Sequence, residues 1–160
     1  MRKIRIVLTV VAILGLVVAC GDNPRSTIEV RPRAPLSSEA GLAGLIFRIG
    51  SRQYAASDFA ADNHGLLEAS AQLPNSGIVQ FGLELRQGGV IVAHGEFSLE
   101  MRRNFEWGMD IFRQVTDPTE TCFGCMGVHR FPVDAAFQNQ PGEAIWIVWG
   151  GKERGSDIVF

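Results

Sequence analysis

The feature that most constrains this chain is a run of strict alternation. In GIVQFGLELR, residues 77–86, Val79, Phe81, Leu83 and Leu85 fall on one side, and Gln80, Gly82, Glu84 and Arg86 on the other. A period of two sends successive side chains to opposite faces of an extended strand. After QGG the alternation resumes in VIVAHGEFSLEM, residues 90–101, with Ile91, Ala93, Phe97, Leu99 and Met101 on the apolar face. Two alternating runs joined by a glycine pair predict a β-hairpin.

The same period recurs along the chain. LLEASAQL sets Leu67, Ala69, Ala71 and Leu73 against Glu68, Ser70 and Gln72, although a short helix also fits there. FEWGMDI places Phe105, Trp107, Met109 and Ile111 inward. VHRFPV, EAIWIVW and SDIVF add further short strands, with no convincing helix of 10 or more residues. The pattern predicts an all-β chain of about seven or eight strands: an antiparallel β-sandwich, immunoglobulin-like or related, with a small β-barrel as the alternative. No repeat of fixed period is present. Upstream, TIEVR alternates and reads as a first strand that Pro32 would confine to a sheet edge. It lies between GDNPRST and RPRAPLSSEAGLAG, whose Pro, Gly, Ser and Ala suggest a lipidated N-terminus and tether over residues 20–44, ahead of a single domain at 45–160; if TIEVR is already an edge strand, the tether shrinks to the first few residues after Cys20.

The N-terminus explains the tether. Arg2, Lys3 and Arg5 precede an uncharged apolar run of 14 residues, Ile6 to Ala19, and then Cys20. As a helix this run would cover about 21 Å, short of a hydrocarbon core about 30 Å thick. It reads as a signal peptide over residues 1–19 and not as a membrane span. Its last residues, Val17, Val18, Ala19 and Cys20, resemble the lipobox of bacterial lipoproteins, with valine in place of the commoner leucine three positions before the cysteine. The resemblance covers residues 1–20 alone. It implies diacylglycerol on the Cys20 thiol, cleavage before it, and a membrane-anchored protein of the bacterial envelope. Several acyl chains on one residue hold a bilayer where a single chain binds only marginally.

With residues 1–19 removed, 12 basic and 17 acidic residues remain, a net charge of minus 5. That argues against nucleic acid as a partner, which needs a basic stripe. Lipidation of Cys20 would also leave Cys122 and Cys125 as an isolated pair in a compartment where disulfides persist. In ETCFGCMGVH, Cys122 and Cys125 could form a structural disulfide, a redox couple or part of a metal site. A redox site needs its first cysteine at a helix start in a βαβ setting, whereas turn and strand residues flank this pair. A zinc site needs a fourth ligand beside Cys122, Cys125 and His129, and His64 and His94 lie far off in sequence. The expectation is a disulfide that shapes a loop, with no cofactor and no metal.

SDFAADNHG gathers Asp58, Asp62, Asn63 and His64, oxygen-rich enough for calcium but without EF-hand spacing. His94 and Glu96 read as an outward pairing with Glu84 or Arg86 across the hairpin. With no nucleophile elbow, HExxH or phosphate loop, the chain is expected not to be an enzyme. Aromatics, however, cluster: residues 105–149 hold eight of the 14. AIWIVW is apolar on both faces, so something must cover its second face. One reading folds the 116–127 loop over it, with Phe123 and Phe131 supplying contacts. The other makes Phe112, Phe123, Phe131, Phe137 and Trp149 a contact surface for an unknown envelope protein or ligand. The functional expectation is a lipid-anchored binding or interaction module, against a thiol or metal protein and a purely structural lipoprotein.

Overall fold

The computed structural model describes residues 25–61 and 67–156. Cys20 with its signal segment, residues 62–64 of the acidic loop and residues 157–160 of the last expected strand lie outside the described residues. Among those described, ten strands form: β1 (Ser26–Pro32), β2 (Leu45–Ile49), β3 (Arg52–Ala55), β4 (Ala60–Ala61), β5 (Leu67–Leu73), β6 (Ile78–Gln87), β7 (Val90–Glu100), β8 (Phe105–Gln114), β9 (Gly127–Pro132) and β10 (Ala144–Glu153). Two sheets pack into a β-sandwich, one six-stranded in the order β4-β5-β1-β8-β10-β9, the other four-stranded in the order β3-β2-β6-β7. The surplus over seven or eight strands comes from short pieces such as β3 and β4. LEASAQL is a strand, not the alternative helix.

The hairpin of β6 and β7 forms as its glycines dictate. Gly88 and Gly89 sit at φ 58° and 79°, the two positive values that the tight hairpin turn compatible with strand twist demands. One prediction inside it fails. The register slips between Leu85 and Arg86, and a bulge of this kind reverses which residues face inward. Val92 is therefore buried and Ile91 is 45% exposed. Beyond the bulge Ala93, Phe97 and Leu99 point inward as expected. His94 lies opposite Glu84, while the Glu96 carboxylate meets Arg48 of β2 at 3.0 Å.

The first strand is also placed differently from its sequence reading. β1 is not an edge: it pairs antiparallel with β5 and parallel with β8. Pro32 is tolerated because the β5 pairing has already ended at Val30 opposite Ala69. The Arg33 N–H carries the β8 ladder onward to the Ile111 carbonyl at 2.7 Å, so the missing donor faces no neighbour. Residues 33–44 then pack onto the sandwich, with Leu42 fully buried and its N–H on the Pro35 carbonyl at 2.8 Å.

The core lies between the sheets. Ile28 and Val30 of β1, Phe105, Trp107, Met109 and Ile111 of β8, and Ile145 and Ile147 of β10 meet Phe47 of β2 and Phe81, Leu83 and Leu85 of β6.

Candidate functional site

On its outer face the six-stranded sheet presents an ordered lattice. Across β1, β8 and β10 three rows follow from the registers: Thr27, Glu106 and Lys152; Glu29, Gly108 and Gly150; Arg31, Asp110 and Val148. The middle row has two glycines side by side, which lowers the floor between two charged rows. Asp110 accepts from Arg31 at 3.0 Å and from Arg33 at 3.1 Å, and Glu106 meets Lys152 at 3.7 Å. A side chain at Gly108 would crowd the Arg31 guanidinium, whose nearest nitrogen would lie 3.0 Å from the new Cβ.

The segment after β8 crosses this face. Pro118–Thr121 forms a single 3₁₀ turn started by Asp117, whose carboxylate accepts from the Thr119 hydroxyl at 2.6 Å and the Thr119 N–H at 2.8 Å. These two bonds, the hydroxyl first, hold the Asp117 carboxyl below the usual carboxylate range. The Cys122 and Cys125 sulfurs then lie at disulfide distance with Cα atoms 5.8 Å apart, and the Met126 N–H returns to the Trp149 carbonyl at 2.8 Å. The turn sits close against β10 at Gly150, where a Cβ would stand 3.1 Å from the Gly124 carbonyl oxygen and press on it. The turn and the lattice enclose a groove of about 360 Å³. At its rim Phe123 is 93% exposed, with Met126 and Val115 also exposed nearby in sequence.

The five aromatics expected to form one surface separate across the sheet. Phe112 lies on the outer face, opposite Trp146, and Phe123 stands at the groove rim. Phe131 is buried in the core, against which Phe137 and Trp149 pack. Trp149 turns inward because its parity in β10 is that of Ile145 and Ile147. There it stacks on His129 with centroids 4.9 Å apart and on Phe97 at 5.8 Å. Two glycines make room for this inner cluster: a Cβ at Gly127 would strike the Trp149 indole at 2.1 Å, and one at Gly95 the Phe131 ring at 2.0 Å.

The second apolar face of β10 is covered, but not by the rings expected to do so. Trp146 donates its indole N–H to the Gln114 carbonyl at 2.9 Å and lies under the Arg130 guanidinium at 5.5 Å. The 3₁₀ turn of Pro118–Thr121 packs against β10, while Phe123 points away.

The other sequence candidates disperse. His129 belongs to the inner aromatic cluster, where burial pushes its pKa down. Asp58 accepts from the Ala55 N–H at 2.7 Å as a turn cap. Among the described residues no three His, Cys, Asp or Glu side chains gather as a metal site.

One polar constellation was missed from sequence. Arg113 and Glu143 form an ion pair whose side chains are 1% and 5% exposed. Arg113 also donates to the carbonyls of Gly41 at 2.8 Å, Glu39 at 2.9 Å and Phe137 at 3.0 Å. Glu143 accepts from the Asn139 N–H at 2.9 Å. Its signal was available: Arg113 has the parity of Met109 and Ile111, and Glu143 that of Ile145 and Ile147. Both are charges at inward positions.

No family model, curated protein or solved structure matches the chain.

Proposed function

We propose that this is a lipid-anchored protein of the bacterial envelope that acts as a non-enzymatic binding module, with the groove beside the Cys122–Cys125 turn as its contact surface. The observation that carries the reading is Phe123, a large aromatic 93% exposed at the apex of a four-residue turn with cysteines at both ends. Exposing such a ring to water is unfavourable, and a turn closed by a disulfide presents it at reduced conformational cost to a partner. The groove offers that partner an apolar edge at Phe123 and Val148 and charged groups at Glu29, Arg31 and Lys152. A purely structural lipoprotein has no use for this arrangement.

A photo-crosslinker at position 126, in cells, tests the reading. Phe123→Ser is expected to abolish a discrete adduct that Val90→Ser, an exposed apolar change in the distant hairpin turn, leaves intact. The same adduct from a folded Phe123→Ser protein would overturn the contact surface. Intact mass of the membrane-extracted protein tests the anchor, which requires a diacylglycerol adduct on a chain that begins at Cys20.

A further inference from the structure

We infer that the end of the sandwich from which the N-terminal segment emerges is a docking face for anionic phospholipid headgroups, so that the domain stands with this end on the membrane. The inference rests on the reading of Cys20 as the lipidated residue.

Four features of the chain meet at this end. Arg25 precedes β1; residues 74–77 join β5 to β6; residues 101–104 join β7 to β8; and β10 ends here. Hydrogen bonds bind them together: Arg154 donates to the Arg25 carbonyl at 2.9 Å and, through its N–H, to the Asn104 carbonyl at 2.9 Å, while the Met101 N–H donates to the Gly77 carbonyl at 2.8 Å. Among the described residues, Arg25, Arg102, Arg103, Lys152 and Arg154 lie here with Glu100, Glu106 and Glu153, five cations and three acids, or plus 2. The described residues together carry 12 cations and 14 acids, or minus 2, so these groups oppose the sign of the rest. Glu106 takes up Lys152 and Arg154. Arg25, Arg102 and Arg103 are exposed, and among the described residues none of the three has an acidic partner. Beside them Ile78, opposite Glu100, is 71% exposed. Glu39, Asp117 and Asp134 belong to loops at the opposite end.

The tether length selects the occupant. Five chain steps separate Cys20 from Arg25, a reach of at most about 18 Å. A ten-residue strand such as β10 is about 33 Å long. An anchored domain therefore keeps this end near the bilayer, while the opposite end can stand clear. Anionic headgroups attract cations within about a Debye length and repel acids, and an exposed isoleucine among arginines can enter the headgroup boundary.

The test uses the protein extracted from membranes and reconstituted in bilayer discs of phosphatidylcholine, alone or mixed with phosphatidylglycerol. A nitroxide at Ser76→Cys reports this end, and one at Val90→Cys the other. Collision with a water-soluble relaxing agent is expected to fall about fivefold or more at position 76 in anionic discs. That shielding should be relieved by salt and by the paired change Arg102→Glu, Arg103→Glu, while position 90 stays open in both. Equal access at 76 and 90, or shielding indifferent to salt and to charge reversal, would overturn the docking face while the anchor stands. An intact mass without diacylglycerol on Cys20 would instead remove the anchor, and the docking face with it.

Discussion

Arg113 and Glu143 place two full charges where little water reaches them, and the sandwich compensates with partners for both. The guanidinium ties β8 to residues 39 and 41 of the segment after β1 and to residue 137 before β10. The carboxylate gathers Asn139 and Gln140 into the turn that starts β10. A buried pair gains little over apolar residues of the same size, because desolvation offsets attraction; breaking it by removing one member strands the other charge. Arg113→Leu is therefore expected to destabilise the fold by about 3–5 kcal/mol, read as a lower urea midpoint at unchanged slope. The double change Arg113→Leu, Glu143→Leu should cost less than the sum of the single changes, since no unpaired charge then remains. An additive result would mean the two side chains act independently.

Among the strands and turns, the turn of Cys122 to Cys125 is a local device that the sandwich is expected to fold without. Its ring is small, and closing a loop of this size removes roughly 2 kcal/mol of unfolded-state freedom. Cys122 is exposed, so a reductant is expected to reach it without unfolding. Reduction should lower the thermal midpoint by a few degrees and leave a cooperative transition, while hydrogen exchange rises in residues 115–126 and not in β8 or β10. Loss of cooperativity on reduction would make the pair integral to the fold. The same elements show what the sequence could reveal. Faces of β8 and the hairpin were legible because alternation alone sets which side is buried, and the glycine pair fixed the turn. The bulge at Leu85 was not, since one extra residue leaves an apolar neighbour, Val92, to replace Ile91. Nor was the division of the aromatics: parity assigns Trp149 to a face of β10, but whether that face is core or surface depends on which strands lie beside it. Phe123, in a turn with no period, carried no orientation in the sequence at all.

For the whole molecule, the consequence of the strand order is where the folding unit begins. Of the two extents the sequence allows for the tether, the strand order agrees with the shorter: β1, the TIEVR strand, lies third in a six-stranded sheet, between β5 and β8. Ile28 and Val30 are 1% exposed and Leu42 is 0% exposed. Pairing of β1 with β8 closes contacts some 80 residues apart in sequence, as Thr27 opposite Glu106 shows. Without β1, the edges of β5 and β8 would stand open and the inner faces of β6 and β8 would lose their packing. Open strand edges invite association, and two large aliphatic side chains removed from a core cost about 2–5 kcal/mol each. That loss is comparable to the net stability of an ordinary domain, roughly 5–15 kcal/mol. A chain starting at residue 45 is therefore expected to aggregate or remain unfolded, whereas one starting at residue 21, without the acylated cysteine, should unfold cooperatively as a soluble species. Near-ultraviolet circular dichroism of the two, which reports the packing of Trp107 and Trp149, separates the outcomes. A native-like spectrum from the shorter chain would show that β1 is an accessory strand and that the sandwich closes without it.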